Sequence, residues 1–272
     1  MRMCRLLGYA APRATTAAAV LGADDAREWQ RMGRLHADGW GTAWVDDART
    51  VRRRRDPSDG TASADLADAL VQEASTARIA HLRLATEGMG TVLGNTHPFV
   101  VDGIAVAHNG SIQPVQELRA MVRPDELARV GGTTDSAVVT ALVLREVARG
   151  ASLLEATTTT VARLRSRFPT SAVNLLVLSA DELVAVHANE GAPVPLDLFA
   201  TSPLGADLPR DHVDHYYRLS WRREADGAVA FTSSGLASEG WRPMAQHTAA
   251  RVDLRTLALE VVDLPTAQRR AA

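Results

Sequence analysis

The sequence predicts an α+β fold, one domain with two or more sheets and at least three helices. Two observations carry this. Apolar runs of strand length, as in "ARIAHLRLAT", "DGIAVAHNG" and "AVNLLVLSADELVAVHAN", are bounded by Gly, Asp, Asn and Ser. Longer segments carry apolar residues at helical spacing behind Ser, Thr or Asp. A chain of 272 residues, 46% hydrophobic, can bury about 75% of the surface its unfolded form exposes.

In chain order, "CRLLGYAA" reads as a buried strand or the start of one. Residues 14–35 suggest a loop with some helix. "GWGTAWVDD" alternates into a strand after its glycines, and "TVRRRRDPSDG" reads as a charged, solvated connection. "SADLADALVQEAS" is a helix with Ser and Asp at its start. "ARIAHLRLAT" and "DGIAVAHNG" are strands, the second ending in a tight Asn-Gly turn. "TTDSAVVTALVLREVARG" is a helix that Thr134 or Asp135 caps and Gly150 ends. "SLLEATTTTVARLRSRF" is a second long helix, and "AVNLLVLSADELVAVHAN" folds as a hairpin. "HYYRLSWRR", "GAVAFTSSG" and "RVDLRTLALEVVDL" supply further strands. The expected domain spans 4–265, with 266–272 a frayed tail.

Composition excludes several classes. The net charge of −2 gives no electrostatic reason to expect nucleic acid or an acidic membrane as partner. All 30 basic residues are Arg, so a lysine Schiff base, a P-loop and a lysine general base are excluded. One cysteine forms neither an internal disulfide nor a zinc cage, which points to a reducing cytoplasm. No signal-type apolar region and no run of 18 apolar residues occurs, so the expectation is neither secretion nor a membrane span. His212 and His215, in a stretch that reads as a strand, would face opposite sides, and no metal-ligand set is complete.

Five stretches place small or polar residues where strands should be ending: Cys4 with "RLLGY", "HADGWG", "HLRLAT" with "NTHPF", "AHNG" and "TTDS". Cys4 is either a small buried hydrophobe or a nucleophile in need of a base. No Cys/His signature supplies that base. A free α-amine on the same residue, with a pKa of about 8, would. Asn109-Gly110 is either a hairpin turn or an oxyanion hole made of a side-chain amide and a backbone N–H. Arg83 lies in an apolar strand and needs an anion, and Asp135 is either an N-cap or a ligand for a cation. Together, Arg83 and Asp135 suit the carboxylate and ammonium of an amino acid. His36, His81, His97 and His108 fall inside these stretches and read as supporting or structural rather than proton-carrying.

In this order and combination, the stretches resemble the class II glutamine amidotransferase domain, a branch of the N-terminal-nucleophile hydrolases. The resemblance rests on Cys4 followed by Arg-Leu-Leu-Gly, then "DGWG", R-x-A-T, N-x-H-P-F, "HNG" and "TDS", over residues 4 to about 140. Residues 230–241, "AFTSSGLASEGW", look like the short stand-alone members, among them the ergothioneine-pathway branch that hydrolyses a γ-glutamyl amide. The resemblance implies a four-layer αββα sandwich of two antiparallel sheets flanked by helices. It implies Cys4 as nucleophile and Asn109 with Gly110 as oxyanion hole. Arg83 and Thr86 would hold the glutamyl α-carboxylate, Asp135 the α-ammonium, and Gly39 with Trp40 would line the pocket near the nucleophile. No metal or organic cofactor is implied.

Two departures stand out. Glu87 occupies the place where sugar-phosphate-making members carry His, and Met1-Arg2-Met3 precedes the nucleophile. The expectation is that translation starts at Met3, with trimming of a short propeptide as the alternative. The leading functional reading is a γ-glutamyl amidohydrolase or glutaminase acting on a small molecule. The alternatives are an amidotransferase that delivers ammonia to a partner synthase, and a non-catalytic γ-glutamyl-binding protein should residues 1–3 stay in place.

Overall fold

The computed structural model describes residues 4–85, 90–194, 196, 215–237 and 239–265. In chain order, β1 (Arg5–Thr15) is followed by α1 (Ala17–Leu21), α2 (Ala23–Arg31), β2 (Trp40–Val45), β3 (Val51–Asp56), α3 (Ala64–Val71) and β4 (Ser75–Leu82). Then come β5 (Phe99–Val101), β6 (Ile104–Ser111), α4 (Val115–Arg119), α5 (Pro124–Val130), α6 (Asp135–Ala148) and α7 (Leu153–Arg167). The chain continues through β7 (Ala172–Leu178), β8 (Glu182–His187), β9 (Leu219–Arg223), β10 (Val229–Ser233), β11 (Arg242–Pro243), β12 (Thr248–Asp253) and β13 (Leu259–Asp263).

The strands form two sheets with antiparallel neighbours. The first has seven strands in the order β11-β9-β10-β1-β4-β2-β3 and the second has six in the order β13-β12-β8-β7-β6-β5. Side chains alternate across each strand, so the cores reveal the layers. Leu6 and Ala10 of β1 join Ile79, Ala107, Leu176 and Ala185 in a core between the sheets. Leu7, Tyr9 and Ala11 of the same strand pack outward with Trp29, Leu66 and Leu70 from α2 and α3. On the far side, Val106, Val177 and Val186 of the second sheet pack against α6 and α7 through Val138, Leu142, Val161 and Leu164. This is the four-layer αββα sandwich of the N-terminal-nucleophile fold. With both faces of the sheets buried, central strands such as β7 are buried along their whole length and read as apolar runs rather than alternating ones, interrupted in β7 by Asn174.

Helix ends follow side-chain chemistry. Thr134 Oγ1 accepts the Ala137 N–H at 3.2 Å, so Thr134 is the N-cap of α6 and Asp135 is its first helical residue. Ser152 and Glu155 make a reciprocal capping box at the start of α7.

The structure corrects three expectations. The arginine run is not a loop but edge strand β3, paired to β2 from Trp40↔Asp56 to Val45↔Val51. Its charges alternate: Arg52 and Arg54 reach Asp46 and Glu73 outside, while Arg55 turns inward to the Thr96 carbonyl at 2.7 Å. A charged edge of this kind discourages pairing with another chain. Asn109-Gly110 makes no tight turn, because β6 continues through it to Ser111 in register with β7. The stretch at His215–Tyr217 is a turn before β9, and His212 lies outside the described residues. Among the described residues no single helix is long and apolar enough to cross a membrane.

Candidate active site

Cys4 stands at the head of β1, with Leu6 and Ala10 on the same side of the strand, and so points into the space between the sheets. It is 7% exposed. Its sulfur lies against the Leu84 peptide: the Leu84 N–H donates to Sγ at 3.4 Å, and the thiol reaches the Leu84 carbonyl at 3.8 Å. Burial pushes the thiol pKa up to about 11; the Leu84 peptide, Arg83 and Arg5 pull it down, and Asp135 pushes it up. Among the described residues no imidazole or carboxylate hydrogen-bonds the sulfur. The group is therefore a protonated thiol whose activation needs a base other than the side chains packed around it.

The Cys4 nitrogen donates to Asn109 Oδ1 at 3.0 Å. Asn109 comes from β6, where Ala105 and Ala107 face the inter-sheet core and Ile104 and Val106 face α6. By that alternation Asn109 faces inward, toward Cys4. Its Nδ2 is buried without a hydrogen-bond partner among the described residues. Standing beside the thiol, it is a donor open to an acceptor that a ligand would bring. The neighbouring Gly110 answers a packing demand. A Cβ there would lie 1.9 Å from the Ala172 carbonyl oxygen. Only glycine lets β6 approach β7 this closely while leading directly out of Asn109.

Arg83 lies just past β4 and continues its pairing. Its N–H donates to the Gly39 carbonyl at 2.7 Å, and its carbonyl accepts from the Asp38 N–H at 3.1 Å. The guanidinium is buried and donates to the carbonyls of Asp38 and Gly90, each at 3.2 Å. Among the described residues no carboxylate pairs with it, so a buried cation is left with neutral acceptors only. Gly39 has φ 129°, and a Cβ there would meet the Asp56 carbonyl at 2.9 Å. Asp38, which the sequence reading did not single out, braces this segment by accepting the Ala85 N–H at 2.7 Å. Thr86 and Glu87 lie outside the described residues.

The Trp40 ring packs with Trp29, Leu66 and Leu82 on the helix-covered face of the first sheet. What the "DGWG" stretch brings to the Arg83 side is backbone from Asp38 and Gly39.

Asp135 is buried at the first turn of α6. Its Oδ2 accepts the Ile112 N–H at 3.0 Å and its Oδ1 the Ser136 N–H at 2.9 Å. The positive end of the helix dipole favours a carboxylate here. Among the described residues no cationic side chain pairs with it. Asn95, from the "NTHPF" stretch, ties the region together: its Oδ1 accepts from Thr133 N at 2.9 Å and its Nδ2 donates to the Gly90 carbonyl at 3.3 Å. The Cys4 thiol thus feels the charges of both Arg83 and Asp135, and beside it stands an amide donor with no partner among the described residues.

The family profile described as class II glutamine amidotransferases matches residues 3–245. The chain belongs to the class II glutamine amidotransferase family. Among its relatives, a glutamine–fructose-6-phosphate aminotransferase (isomerizing) from Mesorhizobium japonicum is 34% identical over 163 residues, covering 58% of this chain and 24% of that enzyme. A gamma-glutamyl-hercynylcysteine sulfoxide hydrolase from Mycolicibacterium smegmatis is 29% identical over 195 residues, covering 68% of this chain and 79% of that one. The chain thus spans about a quarter of the aminotransferase relative's length. In fold, it is similar to a glutamine PRPP amidotransferase from B. subtilis, with TM-score 0.63, 16% identity, and coverage of 96% of this chain and 49% of that chain.

Not every recess of the protein belongs to the site. A surface recess of about 240 Å³ between α5 and α6 is lined by Arg123, Glu126, Arg129, Arg145 and Arg149 and shares no residue with the Cys4 cluster. Its arginines are paired with acids, among them Arg145 with Glu126 and Arg129 with Asp102.

Proposed function

We propose that this protein hydrolyses the γ-amide bond of glutamine or of a γ-glutamyl compound, with Cys4 as the N-terminal nucleophile of the mature chain. The observation that carries the reading is the Cys4 nitrogen held by Asn109 Oδ1 at 3.0 Å, beside a buried Asn109 Nδ2 with no partner among the described residues. One amide would then serve both halves of the reaction: its oxygen orients the α-amine, and its nitrogen faces the developing oxyanion.

Removal of Met1-Arg2-Met3, or a start at Met3 followed by loss of that methionine, converts the Cys4 nitrogen into a primary amine. With a pKa of about 8 it is the base the buried thiol lacks. Through a water it accepts the thiol proton. The thiolate attacks the γ-carbonyl carbon, and Asn109 Nδ2 and the Gly110 N–H donate to the resulting oxyanion. The ammonium returns its proton to the leaving nitrogen as the C–N bond breaks, leaving a γ-glutamyl thioester on Cys4. Water, deprotonated by the same amine, then releases glutamate and restores the thiol. Arg83 pairs with the substrate's α-carboxylate and Asp135 with its α-ammonium, which fixes the γ-carbon before chemistry begins. No step calls on a metal or an organic cofactor.

A larger leaving amine is favoured over ammonia by the relative whose length this chain largely matches, the γ-glutamyl hydrolase, of which it covers 79%. The second reading, ammonia delivery to a synthase partner, draws on the aminotransferase relatives. Protein with Cys4 as its first residue should release glutamate from at least one member of a panel of glutamine and γ-glutamyl amides. The amine released alongside assigns the leaving group. Turnover that survives Cys4→Ala would refute the nucleophile.

A further inference from the structure

Three buried imidazoles lie directly behind the Asn109–Gly110 pair, and the reaction steps above use none of them. His81 is on β4, His108 on β6, and His97 on the connection leading into β5. His81 Nε2 lies 3.2 Å from the His108 carbonyl and 2.9 Å from His97 Nδ1. His108 Nε2 lies 3.3 Å from the Ala172 carbonyl, and His108 Nδ1 lies 2.9 Å from Ser136 Oγ.

A carbonyl only accepts, so the tautomers follow. In the tautomer that satisfies the His108 carbonyl, His81 carries its proton on Nε2 and shares it between that carbonyl and the His97 Nδ1 lone pair. His108 carries its proton on Nε2, donates to the Ala172 carbonyl, and accepts from Ser136 Oγ at Nδ1. All three rings work as neutral groups. Burial agrees, pushing His81 down to about 3 and His97 and His108 below the ordinary imidazole value.

The contacts fall on either side of the oxyanion pair. The His108 carbonyl belongs to the peptide that leads into Asn109. β5 pairs with β6 only as far as Phe99↔Val106, so His108 lies beyond that pairing, and His81 reaches across from the other sheet to hold it. The Ala172 carbonyl is the atom that leaves Gly110 no room for a side chain. The His108 ring fastens that carbonyl from the helix side. Ser136 links the same ring to the start of α6, beside Asp135.

We propose that His81 and His108 are positioning residues that clamp the Asn109–Gly110 pair: His81 fixes the peptide before Asn109, and His108 fixes the β7 carbonyl against which Gly110 packs. This rests on the proposed hydrolysis for its kinetic consequence, though not for its geometry. The clamp acts on the oxyanion donors, which matter most in the transition state, and not on Arg83, which holds the ground-state carboxylate.

The test compares His81→Leu with His81→Gln in protein that starts at Cys4. Leucine removes the donor; glutamine places a neutral N–H where Nε2–H stood. His81→Leu should lower kcat by ~10²-fold, the loss typical of an ångström-scale misplacement, with KM within about threefold of wild type. His81→Gln should recover most of that kcat. Should His81→Leu not fold, His81→Asn makes the same comparison, because its amide stops at the position of Nδ1 and cannot reach the His108 carbonyl. A crystal structure of the non-donor variant supplies a readout independent of turnover: Asn109 should leave its contact with the Cys4 nitrogen. Wild-type kcat in every variant, a change confined to KM, or equal losses in the leucine and glutamine variants would overturn the clamp. So would an unmoved Asn109. A wild-type protein that releases no glutamate from any γ-glutamyl donor counts against the hydrolysis instead, and the crystallographic comparison then decides the clamp by itself.

Discussion

At the scale of single residues, burial decides what each charged or polar group can do. Asn109 is fully buried, and its amide nitrogen has no partner among the described residues. Replacing it with alanine should lower kcat by ~10²–10³-fold, the loss typical of one oxyanion donor, and a steady-state comparison of kcat checks it. Arg83 should behave differently because its partner is present before the reaction starts. Arg83→Gln should weaken binding of a γ-glutamyl donor by roughly 10–10²-fold, matching ~1.5–3 kcal/mol for a hydrogen bond to a charged group. The loss should vanish for a substrate analogue without the α-carboxylate. An equal loss for both substrates would place the carboxylate elsewhere. Cys4 and Arg83 were legible in the sequence because each stands out from its surroundings, a lone cysteine and an arginine in an apolar strand, whereas Asp135, an acid where a helix start favours one, was legible only through its place in the motif set. His81, Asp38 and Ser136 gave weaker signals, since their partners are backbone groups that no spacing rule announces.

At the scale of elements, α6 and β6 carry the site between them, and each was read with different success. The α6 boundaries were visible in Thr134 and Gly150, which cap by side chain and by positive φ. Thr134→Ala should cost about 1 kcal/mol of stability, read as a lower urea midpoint. The β6 strand was visible, but its end was not. Asn-Gly signals a hairpin when local energetics rule, and here a close approach to β7 overrides them. Gly110→Ala should therefore fail to fold or lose activity, because its Cβ would meet backbone rather than a movable side chain. Edge strand β3 was misread for a related reason: a run of arginines looks solvated until alternate members are tied inward to the Thr96 and Pro98 carbonyls. Trp40 shows the same limit, since a motif places its backbone beside the site without saying which face takes the ring.

At the scale of the whole molecule, the periodicity of single strands gave an α+β fold but not its layering. The layers depend on which of two buried faces each residue joins, and both faces are apolar. The ordered set of motifs carried that information instead. Joining the sheets through neutral imidazoles has a consequence for the whole fold. His81, His97 and His108 have folded-state pKa values below the ordinary 6.5, so the unfolded chain binds protons more readily. Their contribution is therefore complete above about pH 6.5 and is lost as pH falls from there toward about 3, the value for His81. The urea midpoint should drop between pH 7 and pH 5, and by less in His81→Gln. A midpoint unchanged over that range would mean the rings are not held neutral.

The proposed reaction requires above all that Cys4 act as a nucleophile with a free α-amine. Acid quenching of the mature protein during turnover of a γ-glutamyl amide, followed by peptide mass analysis, tests this directly. One γ-glutamyl group is expected on the peptide whose first residue is Cys4, labile to hydroxylamine and absent from Cys4→Ala. Glutamate release by a protein that still carries Met1-Arg2-Met3, or an acyl group on any other residue, would contradict it.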